Sequence, residues 1–136
     1  MLISTTGRYA LRVMLELAAR SGGEFIALGS IAESQGISLK YLESIISVLS
    51  KAGLVVGFRG KGGGYRLTRA PEKYTVGEIL RLTDGSLAPV SCLDCKPNKC
   101  ERAGACRTLP MWEKLDSMIT DYLDSVTLSD LLGGEN

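Results

Sequence analysis

Apolar residues recur at helical spacing at the start of the chain. Ala10, Val13, Met14 and Leu17 fall at i, i+3, i+4 and i+7, and Gly22–Gly23 end the stretch, predicting a helix over 5–20. A second, shorter helix is expected from Leu28 to Gln35, closed by Gly36. After the Gly36–Ile37 turn, Ser38 can cap a third helix reaching about Ala52. That helix turns Leu42, Ile45, Ile46 and Leu49 to one side, and Gly53 stands where a left-handed cap residue belongs.

The period then changes. Leu54–Phe58 and Tyr65–Thr68 are short β-prone runs around Arg59-Gly60-Lys61-Gly62-Gly63-Gly64, which predicts a hairpin with a flexible tip. Thr75-x-x-Glu78 has the form of a capping box opening a helix from Val76 to about Thr83. Residues 84–109 lose periodicity. Pro110 sits at a favoured first-turn position for a long helix to about Ser125, and Thr127 opens a last turn, TLSDLL, ended by Gly133–Gly134. The long helix carries two adjacent apolar stripes, 111/115/118/122 and 112/119/123/126, more than one packing seam needs. The surplus is expected to meet the same helix of a second copy, giving a homodimer.

Helix, short helix, tight glycine turn, helix and Gly-rich hairpin is the order of a winged helix–turn–helix. The expected fold is mainly α with a small β-hairpin wing, followed by a long C-terminal dimerisation helix. The expected division is a DNA-binding domain over 1–83, a cysteine-rich loop over 84–109, and the dimerisation helix and turn over 110–136.

The chain has 136 residues, 45% of them apolar, so a core is within reach, and at 6% aromatic that core must be mainly aliphatic. No apolar run has the length of a membrane span and no signal-peptide pattern opens the chain, so a cytoplasmic protein without a membrane partner is expected. There is no His, which removes histidine acid–base catalysis and His-containing metal sites. With no paired-carboxylate motif either, an enzyme acting on a small-molecule substrate is not expected. The net charge of +1 conceals a polarised chain, +5 over residues 1–69 and −4 over 70–136. A basic half calls for an anionic partner of its own, and double-stranded DNA fits the element order.

On the third helix, Ser38, Lys40, Tyr41, Glu43 and Ser44 are the positions expected to face base edges in the major groove. An acid such as Glu43 is useful against DNA mainly when it accepts from a cytosine amino group. In the wing, Arg59 and Lys61 lie among Gly60, Gly62, Gly63 and Gly64. Glycines let backbone approach a phosphate, and an Arg on a narrow loop can enter the minor groove. Arg8, Arg12, Lys51 and Arg66 are candidates for sequence-independent phosphate contacts. A phosphate-binding P-loop is excluded, because no Ser or Thr follows a Gly–Lys pair and no helix follows directly.

All four cysteines, Cys92, Cys95, Cys100 and Cys106, fall within fifteen residues. A disulfide framework does not suit a cytosolic protein of this size. Three readings stay open. Four thiolates can hold an iron–sulfur cluster, which tolerates uneven spacing on an irregular loop. They can hold a structural zinc, although only the first pair has the usual C-x-x-C form. Bare thiols can act by reversible oxidation, either in a regulator or in a redox carrier that binds no DNA.

These motifs together resemble a family of bacterial winged-helix transcription regulators responding to iron–sulfur clusters, nitric oxide, iron or cysteine supply. The resemblance rests on TTGRYAL (Thr5–Leu11), IAESQGISLKYLE (Ile31–Glu43), LVVGFRGKGGGYRL (Leu54–Leu67), YTVGEIL (Tyr74–Leu80), the Cys loop, Trp112 and TLSDLL. It implies a homodimer with crossing C-terminal helices and a Cys loop whose cluster, two-iron or four-iron, tunes operator binding. Tyr41, Glu43, Arg59 and the wing glycines match positions that read DNA in that family. Two fourth-ligand schemes of the family do not transfer: a His three residues after the last Cys is Leu109 here, and an N-terminal Asp is Arg8. The simplest substitute is an all-thiolate cluster. A three-Cys site that spares Cys92 or Cys95 is its competitor, with Cys100 and Cys106 common to both.

Overall fold

The computed structural model describes residues 3–20, 22–94 and 101–133. In chain order the elements are α1 (Thr5–Ala19), α2 (Leu28–Gln35), α3 (Leu39–Lys51), β1 (Val55–Phe58), β2 (Gly64–Leu67), α4 (Val76–Asp84), α5 (Leu109–Ser125) and α6 (Leu128–Leu131). Short 3₁₀ turns cover Pro71–Lys73 and Ser91–Leu93. This is the expected mainly helical fold with a hairpin wing.

The helix ends follow local chemistry. Ser4 accepts from the Gly7 N–H and Ser38 from the Tyr41 N–H, each satisfying a first-turn donor that has no helical partner. Gly36 is left-handed and closes α2. Thr127 and Asp130 form a complete capping box for α6. The box expected at Thr75–Glu78 is only half formed. Thr75 Oγ1 does accept from the Glu78 N–H, but the Glu78 carboxylate is taken by Arg69 through two hydrogen bonds of 2.9 and 3.0 Å. A bidentate guanidinium pair outcompetes a single backbone N–H for that carboxylate.

α1, α2 and α3 close around one aliphatic core in which Ala10, Val13, Met14, Ile31, Leu42, Ile45 and Leu49 are completely or almost completely shielded from solvent. β1 and β2 pair antiparallel, with Gly57 opposite Tyr65 and Phe58 opposite Gly64. Ile26 adds a short third edge, exchanging backbone hydrogen bonds of 2.8 and 2.9 Å with Tyr65.

Tyr74 joins these parts. Its ring is fully buried, and its hydroxyl donates to the Leu54 carbonyl at 2.7 Å while accepting from the Thr68 and Arg69 N–H groups at 2.9 and 3.0 Å. One O–H and two lone pairs are thereby all used. Its own carbonyl accepts from Leu128 N–H at 3.1 Å, and Val76 N–H donates to Val126 at 2.9 Å. Leu128, in the C-terminal turn, is fully buried in the same core as α1 and α3. The chain after α5 therefore returns into the winged unit.

α5 stands apart: none of its residues is buried. Its C-terminal end docks, with Leu123 and the adjoining Val126 packing on a small cluster of Val76, Leu80 and Leu87. Asp124 fixes the angle through hydrogen bonds of 2.7 and 3.1 Å to Arg81. This pair lies across Gly77, where an added Cβ would sit 2.0 Å from Asp124 Oδ1. At the other end of α4, Asp84 accepts from the Ser4 N–H and hydroxyl and from Thr83, tying α4 to the start of α1.

Two measurements follow from this packing. Tyr74→Phe leaves the Arg69 N–H without its partner and the Leu54 carbonyl with Thr68 alone, and should lower unfolding free energy by about 1–3 kcal/mol. Urea titration should show the midpoint falling with an unchanged slope. For Asp84, burial raises the carboxyl, but the Ser4 and Thr83 hydrogen bonds outweigh it and hold the group below its ordinary value of 3.8. Its stabilisation is complete above that value and is lost as pH falls through the lower folded one. Asp84→Asn should therefore flatten the acid limb of the stability curve below about pH 4, read by thermal melts across pH.

Candidate nucleic-acid interface

α3 presents its solvent side between α1 and the wing. Lys40, Glu43, Ser44 and Ser47 are exposed, while Leu42, Ile45, Ile46 and Leu49 hold the opposite side to the core. Ser38 is spent on its cap, and the Ser44 hydroxyl donates to the Tyr41 carbonyl at 2.6 Å. Both keep oxygen lone pairs for an outside donor.

Tyr41 departs from the expected free base-facing position. It is half-buried, its hydroxyl is 3.1 Å from Thr6 Oγ1, and its ring meets Tyr9 edge-on at 5.9 Å. An aromatic ring beside an apolar helix junction gains more from packing than from water, so it locks α3 to α1. Leu39 is 46% exposed at the start of α3.

On the other side, Glu43, Ser47, Ser50 and Lys51 of α3 form a shallow groove with Leu28 and Tyr65, running toward the wing. Arg59, Gly60, Lys61 and Gly62 are exposed at the wing tip. The four tip glycines separate into two kinds. Gly60 and Gly62 have left-handed backbone in open space. Gly63 and Gly64 are required by the fold itself, since an added Cβ would lie 2.3 Å from the Phe58 carbonyl and 2.1 Å from that of Ile26.

The ion pairs among the described residues are Arg20–Glu16, Arg69–Glu78 and Arg81–Asp124. Arg8, Lys40, Lys51, Arg59 and Lys61 belong to none of them. Arg66 is drawn elsewhere, donating to the Gly23 carbonyl at 2.7 Å and stacking 4.5 Å from the Phe25 ring. The candidate surface is thus an exposed helix edge with a single acid, Glu43, flanked by uncommitted cations, as a polyanion requires.

In the cysteine loop, Cys92 and Cys106 are free thiols, each partly exposed. Cys95 and Cys100, with the intervening Lys96, Pro97, Asn98 and Lys99, lie outside the described residues. The Thr108 hydroxyl, 3.3 Å away, and then the Thr108 backbone hold the Cys106 thiol below its ordinary value. Leu109 is the first residue of α5, and Arg8 is exposed on α1 with a hydrogen bond to Thr5. Neither side chain can ligate a metal. No helix among the described residues is long and apolar enough to cross a membrane.

Three helices followed by an antiparallel hairpin wing define the winged-helix class, and the chain's relatives give it the role of a DNA-binding transcriptional regulator. The chain belongs to the Rrf2 family, described as iron-dependent transcriptional regulators, whose family model matches residues 3–134. The HTH-type transcriptional regulator IscR of Vibrio vulnificus (strain YJ016) is 39% identical over 132 residues, covering 97% of this chain and 77% of that protein. Among solved structures, CymR, the global cysteine regulator of B. subtilis, superposes with a TM-score of 0.82 at 38% identity, covering 98% of this chain and 97% of CymR. T. potens IscR gives 0.78 at 41% identity, covering 98% of this chain and 87% of that one.

The two kinds of wing glycine separate experimentally. Gly64→Ala should break the Ile26–Tyr65 bridge and cost more than about 2 kcal/mol, whereas Gly62→Ala should cost only about 1–2 kcal/mol of left-handed strain. Denaturant titration of the two variants ranks them.

Proposed function

We propose that this chain is a homodimeric, sequence-specific regulator whose operator affinity is tuned by an iron–sulfur cluster held by Cys92, Cys95, Cys100 and Cys106. In this reading α3 enters the major groove. Lys40, Glu43 and Ser44 meet base edges or adjacent phosphates, with Ser38 capping the helix and Tyr41 orienting it. Arg59, Gly60, Lys61 and Gly62 follow the backbone at the flanking minor groove, on the frame that Gly63 and Gly64 give the wing, and Arg8 meets a phosphate on the other side.

The observation that carries the switch is the position of the loop. Cys92 lies eight residues after α4, and Cys106 lies three residues before α5, the element with no fully buried residue of its own. Partly exposed free thiols at both ends of the loop are the donor type an iron–sulfur cluster takes. With Leu109 and Arg8 unable to ligate, four thiolates are the simplest donor set, with a three-Cys site that spares Cys92 or Cys95 as its competitor. A bound cluster supplies a crosslink that depends on iron and oxidation state. Tying the two loop ends together biases how α5 leaves the winged unit, and through α5 how two winged units are spaced on half-sites.

Support for the second copy comes from α5 itself. Met111, Leu115, Met118 and Tyr122 form one stripe and are 53%, 38%, 57% and 67% exposed. An apolar seam of that length along one helix face is what a matching helix covers.

A second reading keeps the fold and changes the switch. The likeness to CymR and the lowered Cys106 thiol favour direct thiol sensing of redox state or cysteine supply, and a structural zinc at the same four cysteines is the remaining form.

Anaerobic purification tests these readings together. The expected protein is brown, sediments as two chains, contains iron and acid-labile sulfide, and binds a selected operator differently with and without its cluster. A colourless protein with zinc, or one without metal whose DNA affinity follows thiol oxidation, replaces the cluster reading by the corresponding alternative.

A further inference from the structure

One basic residue is built into the helix–turn–helix more firmly than the others. Arg12, on the exposed side of α1, donates from Nε to Gln35 Oε1 at 2.8 Å, and its guanidinium lies 4.7 Å from the centre of the Tyr9 ring. Gln35 is the last residue of α2, and its amide nitrogen donates to Glu16 Oε1 at 2.7 Å. Glu16 also accepts from Ser34 at 2.8 Å and from Arg20 at 3.1 Å, so the Gln35 amide is oriented with its oxygen toward Arg12. Among the described residues, the two Nη groups of Arg12 have no hydrogen-bond partner and no carboxylate within ion-pair distance.

The same ring that supports Arg12 touches the recognition helix. Tyr9 meets Tyr41 edge-on, and Tyr41 is anchored to Thr6. A chain of contacts therefore runs Glu16–Gln35–Arg12–Tyr9–Tyr41. It links the end of α2, the exposed side of α1 and the first turn of α3.

A long cationic side chain normally loses rotamer freedom when it engages an anion. Here one N–H donor and one face of the guanidinium are already fixed, and the two ends that form a fork remain open. A planar fork matches two oxygens of one phosphate, which an ammonium group does not.

We propose that Arg12 is a pre-oriented phosphate clamp, that Gln35 and Tyr9 are its positioning residues, and that the clamp is held in register with α3 through Tyr41. The clamp fixes where the backbone lies relative to Lys40 and Glu43, on the side of α3 away from the wing. The inference rests on the DNA-binding reading of α3 and deepens it.

The test uses the full chain and a duplex selected from random sequences, with affinity measured from low to moderate KCl. For wild type, log affinity should fall steeply with log salt. Arg12→Gln should make that slope shallower by about 0.9 per bound chain and weaken selected and unrelated duplexes alike. Gln35→Met keeps the charge but removes the acceptor. It should weaken wild-type binding roughly threefold or more, and should add little in the Arg12→Gln background. A loss from Gln35→Met of equal size in both backgrounds would show that it only braces α1 against α2, and would overturn its positioning role. An unchanged salt slope in Arg12→Gln would overturn the clamp while leaving DNA binding intact. Failure of wild type to bind any duplex at low salt would overturn the DNA reading, and the clamp with it.

Discussion

The hydroxyl of Tyr74 is where the winged unit is held together. It is fully shielded, and it meets one carbonyl at the start of the wing and two N–H groups at the wing's end. Without it the Arg69 N–H would lose its partner and the buried Leu54 carbonyl would keep only Thr68, loosening the base of two strands of four residues each. The Tyr74 carbonyl meanwhile receives the Leu128 N–H, so the residue that sets the wing also anchors the returning C-terminus. The hairpin holds its angle to α3 because its base is pinned, although its tip is rich in glycine.

The same economy of contacts explains why α5 can be both attached and available. Its C-terminal end is fixed by Leu123, by the Arg81–Asp124 pair lying over Gly77, and by Leu128 beyond it. Along the rest of its length, residues such as Trp112 and Ile119 are only partly covered. The exposed stripe of Met111, Leu115, Met118 and Tyr122 is the face that the proposed second copy would cover. The cysteine loop enters α5 at its other end. In the proposed mechanism, a change in that loop therefore acts on the part of α5 with fewest intrachain constraints.

The interface is polarised across α3. One side is braced by aromatic contacts to α1, and the other opens into a groove toward the wing. Rigid support on one side and a cationic hairpin on the other suit a duplex whose two phosphate strands straddle a helix in the major groove.

The chain's pattern alone determined the helix boundaries, the hairpin, the caps at Ser38 and Thr127 and the surplus stripe on α5. These are local consequences of spacing and side-chain type, and they carry over because each is satisfied within a few residues. Exposure along α3 was also legible, from the 3.6-residue period that buries Leu42, Ile45, Ile46 and Leu49. The tertiary structure decided which members of that pattern are free. Tyr41 was drawn into packing by Tyr9 and Thr6, far away in sequence, and Glu78 was taken from its capping box by Arg69. Gly64 has a structural duty set by the backbone crossing at Ile26, and Gln35 gained its place beside Arg12 only once α1 and α2 were packed. Each of these depends on a partner brought in by folding, and no periodicity within a segment carries information about a neighbour from another one.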